Sequence, residues 1–163
     1  MKSILIFLAF LTFNAWSSSR EDILEIIKGL NQALPAGIYE GEAFKKTSTG
    51  SIVPWEQMTC LVKVKYKDQL PGGFNFKSYD IEAYIYKTGH RVEMAWAIFR
   101  VDEDLIHYNV QSNMIKKYPS LNLEIESTEA NYQLSLTPKL FHLKSEFNRR
   151  SNEVYCGSLK LKL

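Results

Sequence analysis

The stretch Cys60–Asp68, CLVKVKYKD, decides the fold. Cys60, Val62, Val64 and Tyr66 occupy the even positions, while Lys63, Lys65 and Lys67 face the other way. A period of two with one apolar and one charged side defines a strand buried on one face and wet on the other. The same period continues toward the C-terminus. Tyr79, Ile81, Ala83 and Ile85 alternate with Asp80 and Glu82. Ile106, Tyr108 and Val110 alternate with His107, Asn109 and Gln111, and Leu121, Leu123 and Ile125 with Asn122, Glu124 and Glu126. Further alternating runs cover Tyr132–Leu136, Phe141–Phe147 and Leu159–Leu163. In Arg91–Val101 both parities are apolar, with Val92, Met94, Trp96 and Ile98 on one side and Ala95, Ala97, Phe99 and Val101 on the other.

The connections between these runs are short, as at Thr88-Gly89-His90, Asp102-Glu103-Asp104 and around Pro119 and Pro138. Short connections favour antiparallel neighbours, because parallel pairing needs a long crossover. Two longer loops are expected, over residues 45–58 after a first strand at about Ile38–Phe44, and over 68–75 with Pro71-Gly72-Gly73. Upstream of Gly37 the period is helical. In residues 20–33 (REDILEIIKGLNQA), Ile23, Ile26, Ile27 and Leu30 form one apolar stripe, Ser19 is a candidate N-cap, and Pro35 stops the helix. The expected fold is therefore mainly β, an antiparallel up-and-down meander of eight or nine strands with one N-terminal helix. Closure into a small barrel would remove both sheet edges, with a sandwich as the alternative.

The chain has 163 residues, 45% hydrophobic, with 20 Lys/Arg against 18 Asp/Glu. That is one domain with enough apolar content for a core, and it excludes a disordered or collagen-like chain. Near-neutral charge offers no broad basic field, so no nucleic-acid partner is expected. Residues 1–17 have the form of a signal peptide, with Lys2, an apolar run Ile4–Phe13 too short to span a bilayer, and Ala15-Trp16-Ser17 before the expected cleavage. Cleavage after Ala15 and an uncleaved anchor are the alternatives. Residues 18–163 would then form a single secreted or periplasmic domain. In an oxidising compartment the two cysteines, Cys60 and Cys156, are expected to form a disulfide, with buried free thiols as the alternative. Cys156 shares parity with Lys160 and Lys162, so the pairing requires a β-bulge at Gly157 or a bridge at the rim.

A short helix, then Gly37-Ile38-Tyr39 opening a strand, then a meander tied to its C-terminus resembles the lipocalin-like (calycin) barrels. Tyr39 stands where lipocalins carry Trp, and Arg149 or Arg150 could supply the late basic residue that packs across it. The resemblance implies a small apolar ligand inside the barrel.

Catalytic motifs are wanting. The chain has no G-x-S-x-G elbow, P-loop, dinucleotide glycine pattern or H-E-x-x-H helix, and no cofactor is expected. His90, His107 and His142 fall on separate elements and are expected to be solvated rather than zinc ligands. The leading expectation is non-enzymatic binding of a small apolar or amphipathic ligand, with Met94, Trp96 and Tyr108 lining a cavity and Arg100 meeting an anionic group. Arg100 reaching solvent near Asp102 and Glu103 is the alternative. The competing function is a structural or protein-interaction module of the cell envelope or secreted fraction. It would have a filled core and an exposed patch at Tyr84 and Tyr86, unless the helix covers them.

Overall fold

The computed structural model describes residues 20–68, 77–90, 92–102, 109–115, 120–126, 130–137 and 139–162. Among the described residues one helix, α1 (Arg20–Ala33), precedes nine strands. These are β1 (Gly37–Lys46), β2 (Ile52–Lys67), β3 (Ser78–Lys87), β4 (Glu93–Asp102), β5 (Asn109–Ile115), β6 (Ser120–Glu126), β7 (Ala130–Leu136), β8 (Leu140–Phe147) and β9 (Arg150–Leu161). They form one antiparallel sheet in the order β4-β3-β2-β1-β9-β8-β7-β6-β5. Every consecutive pair except β4/β5 is a neighbour, and the first strand pairs with the last. The meander is as expected. The barrel is not: among the described residues no ladder joins β4 to β5, so the sheet stays open there.

Side chains close what the backbone leaves open. Phe99 on β4 meets Tyr132 on β7 at 5.5 Å between ring centroids, and Tyr132 meets Phe147 at 5.6 Å. Ser145 on β8 is completely buried, and its Oγ accepts the Ile98 N–H of the β4 edge at 3.3 Å. The sheet thus curls until one of its edges rests against the strands opposite. Ser145→Ala should leave that edge N–H without a partner, lowering stability by about 1–3 kcal/mol in urea unfolding. An unchanged midpoint would show that the contact contributes nothing.

Inside the curl lies an apolar core. Val62 and Val64 of β2, Ile81 and Ile85 of β3, Phe99 of β4, Leu134 of β7, Leu143 of β8 and Val154 of β9 are all buried. The helix joins them from within, burying Ile23, Ile26, Ile27 and Leu30 beside β3 and β4. Its C-terminus is pinned where the Tyr79 hydroxyl donates to the Leu34 carbonyl and the Tyr39 hydroxyl donates to Pro35 O at 2.7 Å. Burial holds the Tyr79 phenol well above its ordinary pKa, so it remains a donor. This corrects the expectation that α1 might cover Tyr84 and Tyr86, because those residues lie on the opposite side of the sheet. Arg149 and Arg150 are exposed at the β8–β9 turn, at the other end of β9 from Leu161, the partner of Tyr39.

Cys60 and Cys156 are both fully buried and come together at disulfide distance, with Cα–Cα 5.7 Å. They belong to the two strands that flank β1. The parity conflict is resolved by a bulge one residue beyond the expected place. Between the pairs Glu40↔Lys160 and Glu42↔Gly157, β1 contributes only Gly41 whereas β9 contributes Ser158 and Leu159, and Ser158 has φ +51°. The chains approach closely there. A Cβ on Gly41 would lie 2.4 Å from the Gly157 carbonyl oxygen, so Gly41→Ala should cost about 1–3 kcal/mol by overpacking. A urea midpoint equal to that of the wild type would contradict this.

The loop expected over residues 45–58 is mostly strand. A tight turn at Thr47–Ser51, with Gly50 at φ +86°, leads directly into β2 at Ile52. The Thr/Ser/Gly-rich composition belonged to that turn alone. Tyr108, His107 and residues 1–17 lie outside the described residues.

Candidate functional site

Met94 and Trp96, expected to line an interior cavity, point outward. On β4 the buried residues are Ala97, Phe99 and Val101, whereas Met94 is 47% and Trp96 38% exposed. This reverses the expected parity. Both faces of β4 are apolar, and the helix covers the one carrying Phe99, leaving Met94 and Trp96 in the open. Arg100 shares their outer face and binds no buried anion. Its Nε donates to Asp80 Oδ1 at 3.0 Å across the β3–β4 ladder, with its side chain 64% exposed. That matches the solvent-reaching alternative, with a different carboxylate.

The outer face of β1 to β4 is laid out by register. Leu61 lies opposite Tyr84, and Tyr84 opposite Trp96, giving one apolar row across three strands. Beside it Thr59 lies opposite Tyr86, which is opposite Glu93, and a register shift there leaves Met94 as the extra residue. Tyr84 and Tyr86 stack at 5.7 Å between centroids, and the Lys63 ammonium sits over the Tyr84 ring at 5.2 Å. Partial burial, with the carboxylates of Glu82 and Glu93 close by, pushes the Tyr84 phenol up to about 12. Its hydroxyl donates to Glu82, whose carboxyl is held below its ordinary pKa chiefly by a hydrogen bond from Lys65.

Next to this row lies a groove of about 820 Å³, lined by Glu40, Thr59, Leu61, Lys63, Tyr86, Lys87, Thr88, Gly89, His90, Glu93 and Lys162. Its end wall is the tip of the β3–β4 hairpin, which is tied down to β2. Thr88 N–H donates to the Gln57 carbonyl at 2.8 Å, and the Thr59 and Thr88 hydroxyls share a hydrogen bond of 2.9 Å. Gln57 is held at φ +60°, an uncommon conformation for a residue other than glycine. The wall is therefore preformed rather than a loose loop. A second, shallower concavity on the same face shares Glu40, Thr59 and Lys162 with it.

A further polar cluster lies on the outer face of β8 and β9. The His142 ring stacks on Tyr155 at 4.3 Å, and Glu153 Oε1 takes hydrogen bonds from His142 Nε2 at 2.9 Å and from the Tyr155 hydroxyl at 2.6 Å. Burial lowers the His142 pKa despite the carboxylate. Desolvation works against the Glu153 charge, yet the hydrogen bonds from Tyr155 and His142 outweigh it and hold that carboxyl low. A histidine whose folded pKa lies below its unfolded value near 6.5 resists protonation, so the unfolded chain binds more protons and stability falls as the pH drops below about 6.5. A depressed Glu153 acts in the same direction at lower pH. His142→Phe should flatten the upper part of this acid limb in thermal melts. A limb of unchanged slope would assign it to other groups. Sequence parity placed His142 on the polar face, but its side chain is only 19% exposed rather than solvated, because it stacks on Tyr155 of the adjacent strand.

Among the described residues no group of three His, Cys, Asp or Glu is arranged to hold a metal, and no helix is long and apolar enough to cross a membrane. The chain matches no family model, no curated protein and no solved structure.

Proposed function

We propose that this protein is a non-enzymatic binding module whose working surface is the outer face of β1 to β4, and that it takes an amphipathic ligand there rather than inside the sheet. One observation carries the reading: the apolar row Leu61–Tyr84–Trp96 faces outward beside a walled groove, while the apolar face of the helix is already committed to the core. Large side chains that are neither buried nor covered are characteristic of recognition surfaces. Export is part of the proposal. It is supported by the apolar run at residues 4–13 and by a cysteine pair at disulfide distance. The ligand position proposed here departs from the barrel interior that the lipocalin-like resemblance implies.

A second reading has its own observation. Met94, Trp96 and Val92, which is 55% exposed, extend the apolar surface beyond the groove toward the β4 edge, as a protein interface would. Native mass spectrometry of the protein isolated gently from cells that make it separates the two. A small adduct lost on denaturation and absent from Tyr86→Ala supports the groove, and a protein-sized adduct supports the interface. An adduct retained unchanged by Tyr86→Ala and by Trp96→Ala would refute both.

A further inference from the structure

Resting on that reading, we infer that the ligand of the outer groove is a neutral saccharide chain, stacked on Tyr86 and hydrogen-bonded between Glu93 and Lys87. Tyr86 gives one face to Tyr84, and its remaining surface lines the groove, which Tyr84 does not. An aromatic ring presented in this way accepts the C–H face of a sugar ring.

The charges around it are nearly balanced. Lys162 binds Glu40 at 2.8 Å, and Lys63 is engaged with the Tyr84 ring. Among the described residues, the Glu93 carboxylate and the Lys87 ammonium have no hydrogen-bond or ion-pair partner, and one is an acceptor while the other is a donor. Of the two unpaired groups, an anionic ligand would satisfy Lys87 and be repelled by Glu93. A cationic one would satisfy Glu93 and be repelled by Lys87. Hydroxyl groups both donate and accept, so a polyhydroxylated neutral chain serves both groups, together with the Thr59–Thr88 hydroxyl pair on the wall. The volume of about 820 Å³ and the open side toward the second concavity suit a chain rather than a single compact ligand.

The test is an array of immobilised neutral, sulfated and uronic-acid-containing oligosaccharides, probed with the full folded protein. Binding to neutral members is expected, with little change between low salt and about 1 M salt, because no charge is neutralised on binding. Tyr86→Ala should abolish it. Glu93→Met and Lys87→Met should each weaken it about tenfold, the effect of losing one hydrogen bond to a charged group. His142→Phe, far from the groove, should leave it unchanged. Binding only to charged members, or binding erased by salt, would overturn the inference while leaving the groove as the binding surface. Binding to no member at all would also overturn it. A Tyr86→Ala variant that is folded by circular dichroism and binds as the wild type does would overturn the groove reading as well.

Discussion

Reducing the Cys60–Cys156 bridge is expected to lower the stability of the folded chain by about 4–5 kcal/mol, the chain-entropy value for closing a loop this long. The two residues are 96 positions apart and fully buried between strands β2 and β9. Releasing them enlarges the conformational freedom of the unfolded chain without requiring any native contact to break. The expected thermal midpoint falls by roughly 10 °C or more for a domain of this size. Thermal melts with and without reductant, compared with Cys60→Ala, measure it. Coincident melts would mean that the pair is not bridged in solution.

Nearly as large is the effect expected of Phe99→Ala, about 3–5 kcal/mol, because a fully buried aromatic leaves a cavity that its neighbours fill only in part. Phe99 is 1% exposed and is the contact by which β4 meets Tyr132 across the open side of the sheet. Its loss should weaken the curl itself as well as the local packing. Trp96→Ala, three residues earlier on the same strand, should cost less than about 1 kcal/mol, since that side chain already meets solvent. Urea unfolding of the two variants side by side decides which face of β4 is the core. Equal losses, or the larger loss at Trp96, would reverse the assignment.

That same strand shows where sequence reasoning reached its limit. In Cys60–Asp68 the lysines mark the wet face without ambiguity, and Val62 and Val64 are buried as their parity requires. Arg91–Val101 carries no such marker. Met94 and Trp96 are as apolar as Ala97 and Phe99, and the choice between the faces is made by α1, which packs on only one of them. The position of a helix on a sheet is a tertiary fact with no local signature. The lengths of β1 and β2 were hidden for a different reason. Pro54 and the Thr/Ser-rich turn before it have a loop-like composition, yet Phe44 and Pro54 pair directly. The bulge at Ser158 was legible as a parity conflict at Cys156, because a bridge between two core-facing cysteines demands a register correction nearby. The groove was not legible, since it depends on the tie between Thr88 and Gln57, which brings together two strands' worth of separate sequence.

The most direct test of the outward-facing binding surface is site-specific photo-cross-linking in the cells that make the protein. A benzophenone amino acid would replace His90, exposed on the groove's end wall, in one variant and Gln133, exposed on β7 and far along the sheet, in another. A discrete adduct is expected at position 90 and none at 133. No adduct at 90, or the same adduct at both positions, would contradict the outward-facing binding surface.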